Sequence, residues 1–229
     1  MLITVKIRDE LVEAARDYKY LLNRGYPVKE SLDLVVKRYF LNNIERMILY
    51  RCVHPSEMAE SIASRKVKAE EVYGQTLLID GFNVLITVAT AFNGGQVFLG
   101  DDGLLRDVSK SIRKFSFSVE KHLEKLKLIV KEACFLTPSN IIFFYDKQVS
   151  YSGEIASLTR SLGREVKYKI DTIVSSRNDK TIITYSERGI VSSSDIVILL
   201  KAKRIFDLAQ YIIAKWKPHS IVDIKSLVG

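Results

Sequence analysis

Five short apolar runs in this chain each end in an aspartate: Asp80, Asp146, Asp171, Asp195 and Asp207. In an open parallel sheet the crevice beyond the carboxyl ends of the strands is where ligands bind, so neighbouring strands would bring these carboxylates together. Carboxylates held close repel one another unless a cation lies between them. Hard divalent ions such as Mg²⁺ or Mn²⁺ take oxygen ligands of this kind. A site so built activates water and offsets charge on a phosphoryl group. A competing reading applies to each aspartate singly, because Asp after a strand commonly caps the next helix or closes an Asx turn.

The most specific of these ends is Asp80-Gly81-Phe82-Asn83. A strand-end carboxylate, a glycine that permits a tight turn and an amide three residues on can hold an ion and a phosphate together. Around residues 101–107, Asp101 and Asp102 either extend the acidic site with Arg106 meeting a phosphate, or form an Asp-Gly turn in which Asp102 caps a helix. Ser150, Ser152 and Gly153 follow Asp146 and open a helix, either as a phosphate-binding N-terminus or as an ordinary serine cap. Between residues 109 and 131 lie Lys110, Arg113, Lys114, Lys121, Lys125, Lys127 and Lys131 with Phe115 and Phe117. They suit a nucleic-acid backbone with stacked bases, or a solvated face over core aromatics.

The elements that must position these residues follow from periodicity. Residues 76–79, 140–145, 166–170, 189–191 and 204–206 read as short strands, alternating with helical stretches at 84–92, 104–133, 153–162, 195–202 and 208–216. That alternation predicts a mainly parallel sheet flanked by helices on both faces. Residues 181–185 predict a hairpin with the run after them. Before the sheet, residues 1–70 read as three to four helices. The first spans 7–22 with Asp9 as cap and Gly25 at its C-terminus; Pro27 opens the second. Asn42 or Asn43 caps a third over 44–52, and Pro55 opens a fourth running to about residue 67. The charged stretch 65–71 marks a boundary. The fold class is therefore α/β, with a small all-helical domain over 1–70 and an α/β domain over 71–229.

The stretch from Leu78 to Leu85 around Asp80-Gly81-Phe82-Asn83 resembles the first strand of PIN-like nucleases of the NYN type. Val191-Ser192-Ser193-Ser194-Asp195 resembles the hydroxyl-plus-aspartate motif late in the same superfamily, with Ser194 where Thr is usual. The resemblance implies a PIN-like domain and a Mg²⁺- or Mn²⁺-dependent ribonuclease hydrolysing RNA phosphodiesters. Asp80 and Asp195 would be metal ligands, joined by position by Asp146 and Asp171. Asn83, Ser193 and Ser194 would lie near the substrate, with Arg106 and Ser152 as further substrate contacts. The whole chain is also similar to an archaeal family catalogued as domain of unknown function 434. That likeness rests on Tyr20-Leu21-Leu22-Asn23-Arg24-Gly25-Tyr26-Pro27, on residues 45–51, and on the acidic stations from Asp80 to Asp195.

Composition narrows the remaining classes. The 229 residues carry a net charge of +8, which favours an anionic partner. Two distant cysteines, Cys52 and Cys134, and three scattered histidines exclude a disulfide framework and a structural zinc site. No P-loop or dinucleotide fingerprint occurs. No apolar run is long enough for a membrane, and a cytoplasmic protein is expected by elimination. The alternative to a ribonuclease is an RNA-binding protein with a degenerate site. A third reading is a DNA-binding regulator using residues 32–51 as a helix-turn-helix, with Arg46, Tyr50 and Arg51 exposed. The helical domain holds 13 basic and 10 acidic residues, thin for a DNA reader, so packing, homodimerisation or help in gripping RNA are its other expected roles.

Overall fold

The computed structural model describes residues 5–108 and 117–228. Four helices come first. In α1 (Asp9–Asn23) the N-cap is Arg8, with no side-chain cap bond, so Asp9 lies inside the first turn and complements the helix dipole instead of capping. At the far end Gly25 takes a φ of 78°. The N–H groups of Gly25 and Tyr26 reach the carbonyls of Leu22 and Leu21 at 3.0 and 3.2 Å. This Schellman closure needs a residue without a Cβ penalty. Pro27 is the N-cap of α2 (Val28–Arg38). In α3 (Asn43–Cys52) Asn42 accepts from the amides of Ile44 and Glu45, and Glu45 returns to the Asn42 amide, a full capping box. The fourth, α4 (Ser56–Ala63), is shorter than expected.

The rest of the chain alternates. It runs β1 (Thr76–Asp80), α5 (Gly81–Phe92), β2 (Val97–Leu99), β3 (Leu105–Arg106) and α6 (Val119–Phe135). Then come β4 (Asn140–Asp146), α7 (Ser152–Glu165), β5 (Ile170–Ser175), α8 (Asn178–Tyr185) and β6 (Ile190–Ser192). It ends with α9 (Ile196–Leu199), α10 (Leu208–Trp216), β7 (Ile221–Asp223) and α11 (Lys225–Val228).

Four expectations are corrected. Residues 105–106 form a strand where a helix was expected, and Lys110, Arg113, Lys114 and Phe115 lie outside the described residues. The third strand begins at Ile170 rather than ending there, so Asp171 is its second residue. The hairpin expected at 181–185 is helix α8. Residues 204–206 contribute only bridges from Ile205 to Val191 and Lys66.

The described residues fall into two compact units, and one of the boundaries between them lies within α5. One takes those within Met1–Ser64, Thr90–Lys114 and Lys217–Gly229; the other takes those within Arg65–Ala89 and Phe115–Trp216. The first unit packs Leu11, Ala15, Tyr18, Val35, Ile48 and Leu49 with Phe98, Val108 and Ile224 from later in the chain. It carries a small sheet of order β3-β2-β7. The second unit holds a four-stranded sheet of order β5-β4-β1-β6, parallel throughout. Leu77, Leu78 and Ile79 alternate between its faces and are all buried, so both faces are covered. Among the described residues no helix is long and apolar enough to cross a membrane.

The first unit buries an ion pair. Arg106 is 1% exposed and its guanidinium holds Asp102 by two bonds, of 2.7 and 2.5 Å. Asp102 also accepts from the Leu104 amide at 3.1 Å, so the Asp-Gly turn is realised but leads into β3 rather than a helix. Arg106 therefore serves the core and is not placed to meet a phosphate. Burial pushes the Asp102 carboxyl toward neutrality, but the Arg106 hydrogen bonds and charge outweigh it and hold the group below the usual carboxylate range.

Removing one partner strands the other charge, so Asp102→Asn should destabilise the protein by about 3–5 kcal/mol in urea unfolding. Replacing both, as Asp102→Leu with Arg106→Met, should recover most of that loss. A folded-state pKa below the unfolded value adds stability that is present above the unfolded value and lost as pH falls through the folded one. Acid titration of stability should thus decline below pH about 4 in the wild type and less steeply in the double variant.

Candidate functional site

Three neighbouring strands deliver the site. In the order β4-β1-β6, the chain places Asp146 at the end of β4, Asp80 at the end of β1, and Asp195 three residues beyond Ser192 of β6. Asp80 pairs in register with Phe144. Paired residues of parallel strands share a face, and so do residues two apart. Asp80 and Asp146 therefore stand on the same face at the same edge.

The Asp80 carboxylate is buried and accepts from Ser193 Oγ at 2.8 Å. Gly81 follows it for a packing reason rather than a turn: a Cβ there would come within 2.2 Å of the Tyr145 ring. This lets α5 start directly from the strand. Asn83, on the first turn of α5, accepts from both the backbone amide and the hydroxyl of Ser194 at 3.0 Å. Asn83 thus fastens the 193–195 turn beside Asp80. Asp195 caps α9 through Oδ1, which accepts from the Val197 amide at 2.8 Å, so the capping reading holds for one of its oxygens. Asp146 likewise uses Oδ1, for the Gln148 amide at 2.8 Å. Among the described residues neither Asp146 nor Asp195 has an ion pair. Among the described residues the second oxygen of neither accepts a hydrogen bond.

Asp171 and Ser152 fall elsewhere in function. Asp171 pairs with Ile142 near the start of the sheet's outer strand β5, exposed beside Lys169 at 4.0 Å, and does not join the carboxyl edge. Ser152 is the first residue of α7 rather than its cap; the N-cap is Tyr151, which holds a left-handed φ of 66° and makes no side-chain cap bond. Asp207 accepts from the Gln210 amide at 2.8 Å at the start of α10.

Next to Asp146 opens a cavity of about 380 Å³, bounded by Asp146 and Gln148 on one side and residues 176–180 on the other. Asn178 lines it with a buried Oδ1 that has no hydrogen-bond partner. None of these loop residues was foreseen. The signal lay in Thr172-Ile173-Val174-Ser175, a β-branched run that continues past Asp171 and ends in Arg177-Asn178-Asp179, polar residues suited to a helix start.

The carboxylates of Asp80, Asp146 and Asp195 at this edge are oxygen donors of the kind that a hard divalent ion such as Mg²⁺ or Mn²⁺ takes. These oxygens are not drawn tight. Among the described residues the one group of three whose donor atoms lie within 4.8 Å is His54, Asp101 and Asp102, in the first unit. That group is saturated by other partners. Asp101 accepts from the His54 amide at 2.8 Å and from Lys19 at 2.7 Å, and contacts His54 Nδ1 at 2.7 Å, while Arg106 holds Asp102. Burial raises the Asp101 pKa, but its bonds to His54 and Lys19 outweigh that and keep the carboxyl below its ordinary range. An ion there would have to displace two cations. Sequence separation hid this group, since His54 lies 47 residues from Asp101.

The two arginines of the expected helix-turn-helix are already engaged. Arg46 pairs with Asp33 at 2.6 Å, and Arg51 donates to the Asp107 carbonyl at 2.6 Å. These bonds occupy the cations that a helix-turn-helix would aim at DNA. Both cysteines are free thiols, and burial pushes Cys52 up to about 12 and Cys134 to about 11, so neither is an activated nucleophile.

Comparison with known proteins gives kinship without an activity. An uncharacterised protein of Methanocaldococcus jannaschii is 27% identical over 187 residues, covering 82% of this chain and 88% of its own length. No solved structure matches at a significant level. The family described as Protein of unknown function (DUF434) matches residues 10–66 only, the helical part, rather than the whole chain. The long α/β stretch has its own model, matching residues 69–211, and by it the chain belongs to the family described as Domain of unknown function (DUF5616).

Proposed function

We propose that the second unit is a PIN-like domain of the NYN type acting as a metal-dependent ribonuclease, with RNA as its anionic partner. The observation that carries this reading is the placement of Asp146, Asp80 and Asp195 at the carboxyl ends of three adjacent parallel strands. Asp80 and Asp146 would hold a Mg²⁺ or Mn²⁺ ion, with Asp195 offering its second oxygen. The ion, when bound, supplies Lewis acidity that activates water and offsets charge on the phosphoryl oxygens. The protein's own work is positional. Ser193 fixes the rotamer of Asp80, and Asn83 clamps the turn bearing Ser194 and Asp195. Burial around Asp80 lowers the local dielectric, which strengthens its hold on a cation. The net charge of +8 draws the polyanion toward the protein.

A second reading has one observation in its favour. The three carboxylates do not gather within the 4.8 Å that the His54 group achieves, which suits an edge that binds RNA without cutting it.

Incubation of the protein with a mixed-sequence single-stranded RNA in Mn²⁺ separates the two. Cleavage is expected in the wild type. It should fall at least about a hundredfold in Asp80→Asn and in Asp146→Asn, with unchanged far-UV circular dichroism. Asp171→Asn should retain full activity. Equal cleavage by Asp80→Asn and wild type would overturn the assignment, and RNA binding without cleavage would select the second reading.

A further inference from the structure

We propose that Tyr151 and Gly153, at the rim of the carboxyl edge, form a stacking platform for a base of single-stranded RNA. The Tyr151 ring lies against the base, and Gly153 leaves the surface beside it clear for the rest of the nucleotide. The platform rests on the ribonuclease reading for the identity of its ligand, and it names the part of the substrate held next to the reacting phosphodiester.

The first observation is Tyr151. Its backbone holds φ 66° and ψ 21°, in the left-handed region, where a bulky side chain is strained. Nothing inside the protein offsets that strain. The residue is 60% exposed, and among the described residues its ring and hydroxyl make no hydrogen bond or ring contact. Strain of this kind persists where the surroundings impose it, and it clusters at ligand sites. Two successive turns set the position of the ring. The Val149 amide donates to the Asp146 carbonyl at 3.1 Å, and the Ser152 amide to the Val149 carbonyl at 3.2 Å. Turns of that size keep the Tyr151 backbone within roughly 14 Å of Asp146. The ring therefore stands at the same strand end as the carboxylate.

The second, independent observation is Gly153. Every other glycine among the described residues either holds a positive φ or would bring an added Cβ within 3.0 Å of another atom. Gly153 has no positive φ, and a Cβ there would meet nothing within 4 Å. Inside a helix alanine is the more favourable residue, so the fold supplies no reason for glycine here. Close approach of a ligand does. The neighbours decide which ligand. Ser150, Gly153 and Glu154 are exposed on either side of Tyr151, and none is apolar. A protein partner's anchor sits at the centre of a desolvated patch with an apolar core, which this surface lacks. A base needs only one π-face, and single-stranded nucleic acid is held on aromatic side chains in this way with little regard to sequence. Lys147 and Glu154, both exposed nearby, are of opposite sign, so stacking rather than charge carries the affinity.

The test is an anisotropy titration of the full chain with a labelled single-stranded RNA of mixed sequence, beside an abasic strand of the same length. Chelator is present so that no divalent ion takes part. The wild type should bind the RNA about tenfold more tightly than the abasic strand. Tyr151→Gly removes both the ring and the strain. Its melting temperature should rise while its RNA affinity falls about tenfold, to the level of the abasic strand. Tyr151→Phe should keep RNA affinity within about twofold of the wild type. Gly153→Ala should weaken RNA binding several-fold without lowering the melting temperature. If Tyr151→Gly does not fold, Tyr151→Asn, which also accepts a left-handed φ, takes its place. Five results would each overturn the proposal: no RNA binding, equal affinity for the two strands, RNA affinity unmoved by Tyr151→Gly, a loss as large in Tyr151→Phe, or a melting temperature lowered by Tyr151→Gly. The chelator keeps failures apart. Failure here leaves the Asp80 metal site standing, and failure of Mn²⁺-dependent cleavage leaves this binding result standing.

Discussion

Everything in the second unit depends on the parallel pairing of β1 with β4 on one side and β6 on the other. Parallel strands cannot be joined by tight turns, so each must be followed by a crossover, and all their carboxyl ends emerge on the same edge. The pairing Ile79 with Phe143 and with Ser192 fixes how far each strand extends. A shift of one residue would turn Asp80 to the other face. The buried run Leu77-Leu78-Ile79 forbids such a shift, because it would have to be paid for across the whole core. The placement of these aspartates at one edge is thus a by-product of hydrophobic register.

The protein treats its carboxylates in two different ways. In the first unit Asp101 and Asp102 are closed off by Lys19, His54 and Arg106, so their charges are consumed in holding loops to helices. At the carboxyl edge Asp146 and Asp195 each spend one oxygen on a backbone amide and keep the other open. A tight cluster with its own counter-cations is a structural device. A looser set with open oxygens is what a metal and a phosphate can complete.

Legibility in the sequence followed the strength of local signals. Asn42 with Glu45 three residues on, Gly25 after an amphipathic stretch, and the apolar run before Asp80 all have short-range causes, and the chain folds there as periodicity suggests. The misreadings also have causes. Asp171 looked like a strand end because acids usually break strands, yet β5 is an edge strand with an exposed face that tolerates one. Arg106 looked like a phosphate ligand because nothing local reveals that its side chain turns inward onto Asp102. The small sheet joining β2 to β7 pairs Val97 with Ile221 across the length of the second unit's sequence, and such distant pairing leaves no trace in composition. At the carboxyl edge, the contacts of Asp80 with Ser193 and of Asn83 with Ser194 join residues that the sequence singles out; Arg177, Asn178 and Lys180 escaped notice because their loop was cut off with the misplaced strand.

The central claim is that a divalent ion belongs at the carboxyl edge and not at the tighter group around His54. Calorimetric titration with Mn²⁺ in the absence of nucleic acid tests it directly, comparing wild type, Asp80→Asn, Asp146→Asn and Asp101→Asn. The account predicts one Mn²⁺ site in the wild type, lost in Asp80→Asn and Asp146→Asn and kept in folded Asp101→Asn. Binding that survives both edge substitutions and disappears with Asp101 would contradict it.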